Sequence, residues 1–138
     1  MNSKELFVRD TTVIKKSDNL FTAEVSDNWS IGNTANGGYS MTLAAKAMSE
    51  FLEHKDPLSI SAHYLDRVDF GATELHVTHL SSSRSLSTAR VELIQNNKIK
   101  IIFIGTFTDF SFKNDMNIYE RDVPSFPDYE SCEVIPYK

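Results

Sequence analysis

The 138-residue sequence predicts an α+β domain in which one long helix is wrapped by an antiparallel sheet. Three observations carry that expectation. Between residues 38 and 54 apolar side chains recur with a helical period, whereas before and after that stretch they alternate singly with polar ones. The alternating segments after Pro57 are separated only by short turns, which suits antiparallel neighbours. Helix and strands both carry apolar faces, and packing one inside the other is the simplest way to bury both.

The elements follow in order. "NLFTAEVS" sets Phe21, Ala23 and Val25 against polar neighbours and reads as a strand. A polar loop holding Trp29 then runs to Asn36. Over 38–54, Thr42, Lys46, Ser49, Glu50 and Glu53 fall on one stripe, while Leu43, Ala44, Ala47, Met48, Phe51 and Leu52 fill most of the rest. So wide an apolar arc belongs to a largely buried helix. Lys55-Asp56-Pro57 is expected to end it, because proline cannot continue a helix and restrains the residue before it.

Four strands are expected from Pro57 to about residue 110. "LSISAHYLDRV" alternates Leu58, Ile60, Ala62 and Tyr64 against Ser59, Ser61 and His63, and reads as a central strand. "TELHVTHL" sets Leu75 and Val77 against Glu74, His76 and Thr78. "SLSTARVELIQ" leads to Asn96-Asn97, a pair suited to a tight turn. "KIKIIFIGTFTDF" puts Ile99, Ile101, Phe103 and Phe107 on one face and Ile102 and Ile104 on the other. Apolar residues on both faces point to a central strand or to one covered by a partner chain. Residues 1–110 thus form a single domain. Residues 111–138 hold three of the four prolines and no sustained period, and read as an extended tail or linker.

Composition narrows the function. The net charge is -5 and no basic run occurs, which disfavours nucleic acid and anionic membranes as partners. The single cysteine, Cys132, excludes an intrachain disulfide and a cysteine-based zinc cluster. "MNSKELFVRD" has no apolar core of signal-peptide length, and no apolar run approaches the ~20 residues that cross a bilayer. The expectation is a cytoplasmic protein.

Three segments, "NGGYSMTLAAKAM", "PLSISAHYLDRVDFG" and "SSSRSLSTARVELIQNNK", occur in an order and spacing that resembles the acyl-CoA thioesterase II-like family. The similarity is to the N-terminal hotdog half of those double-hotdog proteins, and it runs from about residue 20 to about 110. "VPSFPDYESCE" in the tail is similar to the linker that leads to their second hotdog. The resemblance implies a hotdog fold, in which a long central helix sits in a curved antiparallel sheet. It also implies a fatty acyl-CoA thioester as ligand, hydrolysed by water with no metal and no cofactor, and assembly as a homodimer or higher oligomer.

Three departures accompany it. In the double-hotdog relatives the catalytic acid, hydroxyl and glutamine come mostly from the second half, so here they must come from another copy or another protein, or be absent. Single-hotdog thioesterases often carry an acid about two turns into the helix, where this chain has Ala44, Ala45, Lys46 and Ala47, and the first acid is Glu50. The family hairpin usually reads Gly-Arg-Ser, whereas this one reads Ser83-Arg84-Ser85 and should form another kind of turn, since Ser tolerates positive φ poorly.

Within this frame Asn36, Gly37 and Gly38 are the candidate oxyanion site. Backbone N–H groups at a helix N-terminus can stabilise charge that builds on a thioester carbonyl oxygen, and glycines leave room for its approach. The competing reading is a tight turn into the helix with an Asn cap. Ser61 falls where the family can carry a catalytic hydroxyl or histidine, and Asp66 is the nearest carboxylate that could activate water; an inert strand serine and a solvated strand end are the alternatives. Trp29, Tyr39, His63 and Arg84 are the candidates for substrate binding. Trp29 can line an acyl tunnel or anchor the loop. Arg84 can meet CoA phosphates or sit free at a hairpin tip. No metal is expected, because His76 and His79 are three apart and face opposite sides of a strand. No G-x-S-x-G elbow accompanies the serines, which argues against a serine hydrolase. The alternative to an enzyme is a non-catalytic acyl-CoA-binding or structural hotdog, such as one half of a split double-hotdog protein.

Overall fold

A helix not anticipated above begins the chain. In the computed structural model, which describes residues 2–111 and 120–134, the Asn2 side chain accepts the Glu5 amide and the Glu5 side chain accepts the Asn2 amide. This reciprocal capping box starts α1, Ser3–Asp10. Next come β1 (Ile14–Lys15) and β2 (Leu20–Val25), paired antiparallel. The polar loop holds a single 3-10 turn, Asp27–Trp29, and a small ribbon of β3 (Ser30–Ile31) and β4 (Thr34–Ala35). α2 spans Gly37–Phe51, followed by β5 (Asp56–Tyr64), β6 (Gly71–Ser82), β7 (Ser87–Gln95) and β8 (Lys98–Thr108). Asn96 and Asn97 both take positive φ, 52 and 57°, as a two-residue turn between antiparallel strands requires.

The main sheet has the order β1-β2-β6-β7-β8-β5, antiparallel throughout. One face carries Phe21, Leu75, Val77, Val91, Leu93, Ile101, Phe103 and Phe107 into a core shared with Leu43, Ala44, Ala47 and Met48 of α2. Each large apolar side chain fully buried there contributes roughly 1.5–3 kcal/mol. The alanines let helix and sheet approach, and Gly105 completes the fit, since any side chain at that position would run into Met48. The arrangement is the expected one, a long helix against a six-stranded antiparallel sheet.

Two boundaries and one position differ from expectation. α2 ends at Phe51 rather than near His54, well before Pro57. Lys55 Nζ donates to the carbonyls of Ser49 (2.8 Å) and Leu52 (2.6 Å), and Ser49 Oγ donates to the Lys55 carbonyl (3.0 Å), so the helix end is satisfied by a folded-back lysine. β5, which bears Ser61, is an edge strand and not a central one. Among the described residues it pairs with β8 alone, because the chain leaves α2 beyond β8 and no later described strand covers that edge. β8 lies between β7 and β5, with Ile101 and Phe103 toward α2 and Ile102 and Ile104 on the outer face.

Among residues 120–134 there is one 3-10 turn, Tyr129–Ser131, and no strand, and Val123, Phe126, Tyr129 and Val134 are exposed. Residues 112–119 and 135–138 of the expected tail lie outside the described residues. Among the described residues no helix is long and apolar enough to cross a membrane.

Candidate functional site

The N-terminus of α2 is built by three consecutive residues. Asn36 is the cap, and its side chain accepts the amides of Gly38 (2.8 Å) and Tyr39 (3.4 Å). The Ser40 amide returns to the Asn36 carbonyl at 3.0 Å. That leaves the Gly37 N–H as the first-turn donor for which the described residues supply no partner. The two glycines have different local reasons. A Cβ on Gly37 would stand 2.9 Å from Tyr64 Oη, so the phenol ring lies directly over the Gly37 backbone. A Cβ on Gly38 would stand 3.2 Å from Asn36 Oδ1 and crowd the cap.

Gly37 opens on a cleft of about 380 Å³ that also touches Ser40, Tyr64, Asp66 and Arg67. Tyr64 was not singled out from the sequence. The alternation of Ile60, Ala62 and Tyr64 nevertheless puts it on the helix side of β5, which was the available signal. Asp66 enters the cleft just beyond β5. Its carboxylate accepts from Lys98 (2.8 Å), the Arg67 amide (2.8 Å) and Lys100 (3.2 Å). Lys98 first, then the Arg67 amide and Lys100, hold it well below the usual carboxylate range. A carboxylate so stabilised as an anion is a weak general base.

Ser61 and His63 are exposed on the opposite face of β5, and Ser61 Oγ makes only a long contact, 3.4 Å, to the Ile104 carbonyl. Within one chain the sheet therefore separates them from Gly37. Arg84 lies at the tip of the β6–β7 hairpin, whose backbone is bonded to His54 beyond the other end of α2. The length of that 15-residue helix, about 22 Å, lies between Arg84 and Gly37. The hairpin tip uses no positive φ, in line with a turn different from the Gly-Arg-Ser form. His76 bonds Glu74 and His79 bonds Ser82, and among the described residues no group of three or more potential ligands gathers for a metal.

Trp29 and Tyr39 belong to a hydrogen-bonded network behind the helix start, in which Asp10 and Tyr39 are buried. Asp10 is its hub, with the carboxylate accepting from Arg9 Nε (2.7 Å), Asn28 Nδ2 (2.9 Å), Ser26 Oγ (3.0 Å) and Trp29 Nε1 (3.1 Å). The Arg9 guanidinium, opposed by burial and helped by Asn28, Ser26 and Trp29, keeps this carboxyl far below its ordinary range. Tyr39 donates its hydroxyl to the Asp10 carbonyl (2.7 Å) and accepts the Ser26 amide (3.0 Å), and burial pushes its phenol up. The Trp29 ring stacks on Tyr39 at 6.3 Å and meets Phe7 edge-on at 5.0 Å.

A helix seated in an antiparallel sheet, with a glycine-lined opening at the helix start, is the hotdog arrangement, and comparison with solved structures agrees. A candidate thioesterase II from Thermobifida fusca superposes with a TM-score of 0.80 at 22% identity over 91% of this chain and 47% of its own. The tesB protein of Mycobacterium avium subs paratuberculosis gives 0.79 at 21% identity over 94% and 50%. A Streptococcus mutans protein solved bound to acetyl-CoA gives 0.62 at 19% identity over 70% and 87%. These likenesses show the fold, and the chain spans about half the length of the first two. The family follows from sequence. Residues 25–109 match the model of the acyl-CoA thioesterase N-terminal domain, and the chain belongs to that family. No curated protein matches the sequence.

Proposed function

We propose that this chain binds fatty acyl-CoA thioesters in the cytoplasm and hydrolyses them with water, as a homodimer or higher oligomer. The observation that carries this reading is the Gly37 N–H, left without a partner among the described residues, at the positive end of a 15-residue helix and beside a cleft of about 380 Å³. Water adds to the thioester carbonyl carbon, negative charge builds on its oxygen, and the C–S bond then breaks to release a thiol and a carboxylic acid. An amide aligned with the helix dipole favours that charge. Asn36 and Gly38 shape the opening, Asp66 stands in the cleft as the nearest carboxylate, and Tyr39 and Trp29 form its rear support. Ser61 and His63, on the outer face, would serve only through a partner. The acetyl-CoA in the Streptococcus mutans protein supports the class of ligand.

The edge strand supports assembly. Among the described residues the nine-residue β5 has no strand on its outer side, and Leu58 and Tyr64 are more than half exposed. A long open edge invites another strand. A second copy joined there would extend the sheet and set a second α2 beside the first.

The second reading, a module that binds acyl-CoA or serves as a scaffold without turnover, has its own support. α2 has no carboxylate before Glu50, and Asp66 is committed to two lysines. Thiol release from acyl-CoAs of graded chain length by the purified oligomer separates the two. Turnover above background is expected. A raised melting temperature without turnover would favour the second reading, and neither turnover nor binding would overturn the enzyme and the binding module alike and leave only a scaffold.

A further inference from the structure

Beneath the β6–β7 hairpin runs a file of polar side chains that the reading above does not use. His54, between α2 and β5, is 8% exposed, and Ser87 is fully enclosed. His54 Nδ1 lies 2.6 Å from Ser87 Oγ, and His54 Nε2 lies 3.3 Å from the Arg84 carbonyl. Ser82 Oγ donates to Ser87 Oγ at 3.2 Å and lies 2.8 Å from His79 Nε2. A carbonyl can only accept, so His54 Nε2 carries hydrogen. In the neutral ring Nδ1 then accepts from Ser87, Ser87 accepts from Ser82, and Ser82 accepts from His79 Nε2–H. One carbonyl thus sets the direction of four hydrogen bonds.

The file ends on the backbone of Arg84, within a turn that is fastened on every side. The Ser83 amide donates to the Leu86 carbonyl (2.7 Å), the Leu86 amide to Ser83 Oγ (3.2 Å), and Thr108 Oγ1 to the Ser85 carbonyl (3.0 Å). A turn that only reverses the chain gains little from a buried histidine beneath it. The charge pattern suggests what is gained. Of the four arginines in residues 1–110, Arg9 meets Asp10, Arg67 meets Asp69 and Arg90 meets Glu92. Among the described residues Arg84 alone of the four has no carboxylate in reach. CoA carries its phosphates at the far end of a long arm from the thioester, so an exposed cation remote from Gly37, on a backbone that is held in place, suits that end of the ligand.

We propose that His54, with Ser87 setting its tautomer, is a positioning residue that holds the Arg84 carbonyl so that the guanidinium meets the phosphates of a CoA nucleotide. This rests on the thioester reading above. The test compares CoA with pantetheine, the same thiol arm without the nucleotide, by calorimetric titration of the full chain. The wild type prefers CoA, and Arg84→Ala lowers that preference roughly tenfold, as for the loss of one charge-assisted contact. His54→Ala and Ser87→Ala lower it to a similar degree, and His54→Gln, whose amide can still donate to the carbonyl, recovers part of it. The affinity ratio is insensitive to general loss of stability, which a merely structural histidine would cause without changing it. Should the alanine variants not fold, the wild type's ¹⁵N spectrum decides, with an unprotonated His54 Nδ1 expected and the opposite tautomer overturning the proposal. A CoA preference untouched by Arg84→Ala would overturn it while leaving the thioester reading in place. Binding of neither probe would overturn both.

Discussion

The two ends of α2 are tied to the rest of the molecule by enclosed polar groups of opposite kind. At the N-terminal end the tie is charged. Tyr39 bonds the carbonyl of Asp10, 29 residues earlier, and the Asp10 carboxylate gathers a guanidinium, an amide, a hydroxyl and an indole. At the C-terminal end the tie is a histidine bonded to Ser87, 33 residues later, and to a carbonyl. An enclosed carboxylate is tolerable only with several donors, whereas an imidazole is content with one donor and one acceptor. Both ties hold the helix from the side. Neither uses the Gly37 amide, so support and binding fall on different atoms of the same helix end.

The largest expected effect removes the charged tie. Asp10→Ala leaves Ser26, Asn28 and Trp29 without their shared acceptor and should cost about 2 kcal/mol, the range for hydrogen bonds to a charged group. Trp29 is the only tryptophan, so its emission should move to the red, while the His54 resonances at the other end stay in place. The pH dependence has a definite sign. The folded Asp10 carboxyl titrates below its unfolded value, so its contribution is complete above the unfolded value of about 3.9 and is lost as pH falls below it. Melting curves of wild type and variant should therefore converge toward acid pH. A constant gap down to the lowest accessible pH would mean that the tie does not depend on charge.

How much of this was legible follows the range of the interactions. The period over "SMTLAAKAM" and the alternation in "TARVELI" encode burial locally, and both appear as helix and strand where expected. α1 was legible in principle from Asn2 and Glu5, but a capping box of four residues is easily passed over in a polar N-terminus. The place of β5 at the sheet edge was not legible. Strand order depends on which way the chain leaves α2, and nothing local to "LSISAHY" encodes that. The opening at Gly37 was read from its residues, whereas Tyr64 over it and the salt bridges of Asp66 needed partners 27 to 34 residues away to become visible.

A smaller effect is expected from the cap. Asn36→Ala removes the acceptor of the Gly38 and Tyr39 amides and should cost about 1 kcal/mol in thermal or denaturant unfolding. It leaves the Gly37 amide in place, so at temperatures where the variant is folded thioester binding should weaken less than a methyl group at Gly37 weakens it. Loss of binding in proportion to the loss of stability would erase the distinction between support and binding at this end.

The smallest expected change in stability is the most discriminating one. Gly37→Ala exchanges a poor helix former for a good one at the first helical position, yet places a methyl group against the Tyr64 ring. Tyr64 is about half exposed and can swing outward, so the two effects should nearly cancel, to within about 0.5 kcal/mol. If the open side of Gly37 serves only to seat Tyr64, the double variant Gly37→Ala, Tyr64→Ala should behave like Tyr64→Ala in binding and turnover. If it admits a thioester, the added methyl group occupies the approach itself, and the double variant should bind and turn over acyl-CoA at least tenfold less well than Tyr64→Ala. Stability measured on the same samples removes the helix propensity from that comparison, since the gain from alanine is the same with or without the ring. The difference between the two variants then reports whether the backbone at Gly37 faces a side chain or a ligand.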